Sequence, residues 1–287
     1  MRILILLAIF STLVISCKNE TKEATQGTKE QVAEEKVAIK LHTFDGGSIM
    51  ANNLNLFAQG DTYKGQRKAL ADAFYVIEHP KGTLIWDTGL PEGLVGQGDV
   101  TPEGGAFTIS RKDSIKNQLN AKGLAIEDID HIAFSHIHFD HTGAANHFEN
   151  AQWIVQESEY TFAKGDSIKG NSFYAPDSFS KLNNVKQISG DLDLFEDGTV
   201  IIKSMPGHTP GHQVLYLELP QAGPVILAGD MYHFIENREK RIVPQFNYDI
   251  PETEESIKQF EAFVDETKAN VIIQHEKKHL PVAKKLQ

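Results

Sequence analysis

Cysteine is nearly absent from this chain: Cys17 is the only one in 287 residues. A single thiol excludes an intramolecular disulfide framework, so any staple or metal site further along must use other side chains. Basic residues are also in short supply. Lys and Arg number 28 against 39 Asp and Glu, a formal net charge of −11, and no Lys/Arg cluster forms a stripe. Nucleic acid and an anionic membrane surface are therefore poor partners. Long apolar runs are scarce as well. The one that stands out, Ile3 to Ile15 with Ser11 and Thr12 inside it, is too short to span a bilayer comfortably. What remains is ordinary globular material, 40% hydrophobic and 23% charged. A chain of this length buries enough surface to fold without staples.

The beginning of the chain reads as an address. Met1-Arg2 supplies a charge, the apolar run follows, and Val14-Ile15-Ser16-Cys17 resembles a bacterial lipobox. On that reading residues 1–16 are a signal peptide of lipoprotein type, and cleavage before Cys17 leaves a lipid-modified N-terminus. The protein is then exported, as a periplasmic or membrane-anchored lipoprotein whose only membrane attachment is the anchor at Cys17. Residues 17–36, rich in Lys, Glu, Thr and Gln, read as a solvated tether. The folded domain spans 37–287.

Within it the periodicity marks strands and helices in alternation. Ala38 to Phe44 alternates as a strand, and 73–78 and 83–87 read as strands around the turn His79-Pro80-Lys81-Gly82. Helical spacing covers Ser110 to Lys122, with Gly123 as its stop. Short apolar strands are expected at 130–135, 152–156, 199–205, 213–219, 225–229 and 270–274. Helices are expected from Glu157 and from Pro251 to about Lys268. This is a mixed α and β pattern with covered sheets. The Phe and Leu residues between Asn53 and Phe74 read as core, with an apolar groove as the alternative.

The chemistry concentrates in Ser135-His136-Ile137-His138-Phe139-Asp140-His141, three imidazoles and a carboxylate directly after an apolar strand. Divalent ions such as zinc favour this donor set. Histidines at i and i+2 of an extended segment point the same way and reach one ion. Asp140 and His141 follow in the turn and face elsewhere, which suits a second ion. Further donors should stand at other strand ends. His208 sits in Pro206-Gly207-His208-Thr209-Pro210-Gly211-His212, Asp230 ends the apolar stretch Val225 to Gly229, and His275 ends Val271 to Gln274. Each alone would more often be structural; together they complete a set of seven.

These motifs resemble the metallo-β-lactamase-fold superfamily, whose His-x-His-x-Asp-His hallmark stands here at 136–141. Within it the chain is most similar to N-acyl-homoserine lactonases, through Ser135 to Gly143, Pro206 to Gln213, and His79-Pro80-Lys81-Gly82 before Asp87-Thr88-Gly89. The resemblance implies an α/β fold, a four-layer αβ/βα sandwich, and two divalent ions, with zinc the default and iron, manganese or cobalt also suited to Asp and His. It assigns one ion to His136, His138 and His208, the other to Asp140, His141 and His275, and a bridging role to Asp230. Asp87 would steady the ligand loop by hydrogen bonds, and His212 would be structural.

The implied activity is opening of the lactone ring of N-acyl-homoserine lactones, that is, quorum quenching. The alternative is another ester, thioester or organophosphate hydrolase of the same fold. A lipid-anchored metal-binding or sensing protein is the reading from a different class. Asp230 argues against antibiotic-hydrolysing lactamases that lack this carboxylate. One departure stands out. Lactonases often carry Tyr three residues after the bridging Asp, where its hydroxyl touches the substrate carbonyl. Here that position is His233, with Tyr232 one residue earlier, and either is a candidate for the contact. Asp140 or Asp230 is expected to carry a proton to the leaving oxygen. His42, His79, His131, His147 and His279 are expected to be surface or hydrogen-bonded core residues.

Overall fold

A computed structural model describes residues 37–286. The expected signal peptide at 1–16, Cys17 and the expected tether at 17–36 lie outside them. The strands, in chain order, are β1 (Lys40–Ala51), β2 (Lys68–His79), β3 (Gly82–Trp86), β4 (Phe107–Ser110), β5 (His131–Ala133), β6 (Gln152–Gln156), β7 (Val185–Ile188), β8 (Leu192–Asp193), β9 (Val200–Ser204), β10 (Gln213–Leu219), β11 (Gly223–Leu227) and β12 (Asn270–Ile272). The helices are α1 (Ile115–Asn120), α2 (Phe139–Thr142), α3 (Glu157–Lys164), α4 (Ile235–Lys240), α5 (Ile250–Thr267) and α6 (His279–Ala283). Among the described residues no helix is long and apolar enough to cross a membrane.

The strands form two sheets, ordered β4-β1-β2-β3-β5-β6-β7 and β12-β11-β10-β9-β8. Alternation along each strand builds the layers, because successive side chains leave opposite faces. Tyr75 and Ile77 of β2 join Leu84, Trp86, Leu215, Leu217, Val225 and Leu227 in the core between the sheets. Their neighbours Phe74 and Val76 face outward and pack with Ile115, Leu119 and Ala163 of α1 and α3. Val214 and Tyr216 of β10 likewise face out onto Ile257 and Phe260 of α5. The result is helix, sheet, sheet, helix: the four-layer αβ/βα sandwich.

In the parallel run β3-β5-β6-β7, strands β5 and β6 lie inside the sheet and are mostly buried on both faces, which explains why 130–135 and 152–156 read as continuous apolar strands. β1 is longer than its alternating pattern suggested, because a register shift between Asp45 and Gly47 bends it and lets pairing with β2 continue to Ala51. At that bend the chain crosses Gly89 so closely that a Cβ on Gly89 would lie 2.5 Å from the Gly46 Cα. The helix expected over 110–122 is shorter. Ser110 ends β4, and the N-cap is Ser114, whose side chain accepts the Asn117 N–H at 3.1 Å.

Candidate metal centre

All seven expected donors meet at one edge of the sandwich, on segments that follow strands. His136 and His138 follow β5, and Asp140 and His141 lie on α2. His208 occupies the loop from β9 to β10, Asp230 a single 3₁₀ turn after β11, and His275 the exit of β12. Six of the seven are buried and Asp140 is half-buried.

They fall into two sets. In the first, His136 Nε2 lies 2.8 Å from His138 Nδ1, and His208 Nε2 lies 3.2 Å from both. The edge of a tetrahedron of nitrogens about zinc is about 3.3 Å, so these rings already stand near the spacing one ion requires. In the second, Asp140 Oδ1 is 3.9 Å from His141 Nε2, and its Oδ2 is 3.8 Å from His275 Nε2. Asp230 stands between them. Its Oδ2 is 3.3 Å from His208 and 3.7 Å from His136, while its Oδ1 is 3.0 Å from His275 and 3.5 Å from His141. One carboxylate thus offers an oxygen to each set.

The outward nitrogens of most of these rings are engaged. His275 Nδ1 meets the Ala71 carbonyl at 2.8 Å, His208 Nδ1 the Asn247 Oδ1 at 2.8 Å, and His136 Nδ1 the Ser135 hydroxyl at 3.1 Å. His141 Nδ1 is held 3.2 Å from Asp87. Such contacts fix the ring and leave the opposite nitrogen for an ion. Asp87 also accepts the Ser135 N–H at 2.7 Å, so it steadies the start of the ligand loop as expected. Inside the ring of donors, His141 Nε2 and Asp230 Oδ1 are buried and form no directed hydrogen bond; Asp230 Oδ1 meets His275 Nε2 and His141 Nε2 only as ion-pair contacts at 3.0 and 3.5 Å. Orphaned inward-facing donors of this type are what a divalent ion satisfies, so the residues fit two such ions.

The electrostatics divide along the same line. Burial, reinforced by the neighbouring imidazoles, pushes His136 and His138 well below the ordinary histidine range. Burial acts in the same direction on His141 and His275, but Asp87 with Asp230 and Asp140 holds His141 well above that range, and Asp230 with Asp140 holds His275 at about 9. Burial would also raise Asp230, yet His233, His275 and His141 keep it well below the usual carboxylate range. The second set therefore stabilises positive charge strongly.

The remaining expectations divide. His212 is structural: its Nδ1 meets the Met205 carbonyl at 3.0 Å and its Nε2 accepts the Asp230 N–H at 3.1 Å. His233 faces the cavity, with Nε2 3.0 Å from Asp230 Oδ2. Tyr232 does not. It is turned to the other side of the chain, packs on Phe260 and donates its hydroxyl to Glu261 at 2.9 Å, so it is removed from the candidate contacts. Adjacent residues of extended backbone leave opposite faces, and Tyr232 is extended, so only one of the pair can reach the site. His42, His79, His131, His147 and His279 all lie outside both donor sets.

The cavity over the donors is walled by Ile49, Phe57, Leu70, Phe107, Phe139, Phe173 and Phe246. Phe57 and Leu70 thus serve both as core and as wall, whereas Leu54 is core alone. Beyond Phe107, Phe139, Phe173 and Phe246 an apolar groove continues past Leu56, Pro102 and Ile109.

Residues 70–275 match the Metallo-beta-lactamase superfamily. The chain belongs to that superfamily. Among its relatives, the N-acyl homoserine lactonase AttM of Azorhizobium caulinodans is 29% identical over 262 residues, 86% of this chain and 97% of the relative. An N-acyl homoserine lactonase of a Bacillus species is 32% identical over 212 residues, 70% of this chain and 80% of the relative. A solved N-acyl homoserine lactone hydrolase, with the product N-hexanoyl-L-homoserine at its catalytic metal center, superposes with a TM-score of 0.74 at 29% identity. That match covers 86% of this chain and 96% of the other. The superfamily assignment places this protein among metal-dependent hydrolases with two divalent ions, for which zinc suits the His and Asp donors.

Proposed function

We infer that this protein opens the lactone ring of N-acyl homoserine lactones. The observation that carries the reading is Asp230 set between two donor groups at the floor of a phenylalanine-walled cavity. A polar lactone head needs the floor, and an apolar acyl chain needs the walls and the groove beyond. The relatives named above act on this substrate class.

Ions held by the seven donors supply Lewis acidity toward the ester carbonyl and an activated water. The protein's own residues do the rest. Asp230, Asp140 and the five histidines orient their lone pairs inward. The phenylalanine wall excludes bulk water from the ester. His233 Nε2, beside Asp230 Oδ2, gives its N–H to the carbonyl oxygen of the lactone. Asp140, half-buried where the other six donors are buried, faces the cavity, takes the proton released by the attacking water and carries it to the leaving oxygen. Residues 1–16 direct export and Cys17 carries a lipid anchor, with 17–36 as the tether; the apolar run and the lipobox-like Val14 to Cys17 support this.

The test is direct. The purified protein, loaded with zinc, is incubated with acyl lactones of several chain lengths, S-lactoylglutathione and paraoxon. Ring-opened acyl homoserine should dominate. Preferred turnover of the thioester or the phosphotriester would overturn the substrate. Labelling with palmitate that is lost in Cys17→Ser checks the anchor.

A further inference from the structure

Between the two loops that carry the first donor set lies a buried carboxylate with neither a ligand position nor a place in the cavity wall. Glu159, on the first turn of α3, is 2% exposed. Its Oε1 accepts the Ile137 N–H at 3.0 Å, and its Oε2 accepts the Gly211 N–H at 2.7 Å. Ile137 separates His136 from His138, and Gly211 lies three residues after His208. One side chain therefore joins the loop after β5, in the first sheet, to the loop after β9, in the second. The fit is close: a Cβ on Gly211 would lie 2.5 Å from the Glu159 Cβ.

Burying a carboxylate is costly, and burial does push the Glu159 carboxyl up, against the hydrogen bonds from Gly211 and Ile137. An apolar side chain would pack α3 without that cost. What it could not do is fix two backbone amides from different sheets at one distance from each other. The three ring nitrogens of His136, His138 and His208 lie 2.8–3.2 Å apart across this junction.

We propose that Glu159 is a positioning residue that sets the spacing of the His136/His138/His208 donors and so governs how tightly that set, and not the Asp140/His141/His275 set, retains its ion. The proposal rests on the two-ion reading of the centre.

The full chain and its Glu159→Ala and Glu159→Gln variants are loaded with zinc and dialysed against graded chelator. Metal per chain is then measured by elemental analysis, alongside Tm and the absorption spectrum of the cobalt-loaded forms. The alanine variant should fall from two ions toward one at chelator concentrations roughly 10- to 100-fold lower than the parent needs. Its cobalt spectrum should change for one ion only, and kcat on an acyl lactone should drop with KM nearly constant. Glutamine keeps one acceptor and should lie between. If the alanine variant does not fold, the glutamine shift decides alone. An alanine or, in its stead, glutamine variant that holds both ions as the parent does overturns the proposal, as does loss of both ions in step with a falling Tm. A parent that never binds two ions overturns the reading beneath it.

Discussion

Strand β2 has a cluster of histidine and carboxylate near each of its ends, and only one of them is suited to a metal. Near the start, the Ala71 carbonyl holds His275 of the donor ring. At the finish, roughly 26 Å along the strand by its rise per residue, His79 Nε2 meets Asp197 at 3.0 Å, and its Nδ1 accepts the Lys81 N–H at 3.0 Å. Asp197 also accepts from the Thr199 amide and hydroxyl. His79 is stacked on Phe195, centroids 3.9 Å apart. Every polar atom of that pair has a protein partner. At the other end His141 Nε2 and Asp230 Oδ1 make no directed hydrogen bond. Residue type does not distinguish the two clusters; the direction of the unpaired lone pairs does.

The largest expected effect follows from removing inward donors. Asp230→Asn or His208→Ala should lower kcat/KM for an acyl lactone by about 10³-fold or more, since several kcal/mol of charge stabilisation is lost. Metal content should fall in parallel. Activity surviving in such variants, or in protein stripped of metal, would sink the centre. Asp87→Asn removes one carboxylate from Ser135 and His141 and should cost about 10- to 100-fold in metal retention, read by chelator titration.

His233→Ala should reduce kcat by about 10- to 100-fold with both ions retained, as expected for loss of one hydrogen bond to the reacting carbonyl. Tyr232→Phe should leave kcat unchanged and cost about 1 kcal/mol in denaturant unfolding, for the hydroxyl bond to Glu261. A drop in kcat for the tyrosine variant would reverse the assignment of the pair.

The smallest effect on catalysis is expected at the far cluster. Asp197→Asn should leave metal content and turnover unchanged while altering stability against pH. Burial opposes ionisation of Asp197, but Thr199, His79 and Lys81 hold its carboxyl at about 2. That is below the unfolded value of about 4, so the folded state binds fewer protons. Its contribution is complete above about pH 4 and disappears as pH falls from there toward about 2. Unfolding curves of parent and variant should converge across that window.

The donors were legible in the sequence because four of them are packed into residues 136–141 and the others follow apolar strands, where a strand end fixes where the chain emerges. The layers followed from alternation for the same reason. Other features had no such signal. The edge strand at 185–188 is half-exposed and reads as polar loop. The polar stretch from Ser110 to Ser114 contains two serines suited to capping, and only pairing of Phe107–Ser110 with β1 shows that Ser114 is the cap. Choosing His233 over Tyr232 depended on one residue of register in a turn. Glu159 looks like any first-turn acid, because its partners are backbone amides 22 and 52 residues away.

The donors also have a mechanical consequence. His136, His138, Asp140 and His141 leave the first sheet, while His208, Asp230 and His275 leave the second. Each ion would be gripped from both sheets, so sliding or peeling one sheet from the other would break coordination bonds before it exposed the apolar layer between them. The centre is therefore a clasp as well as a catalyst. Its grip should govern how slowly the folded chain comes apart, with chelator accelerating unfolding even where enough packing remains to keep the fold at equilibrium.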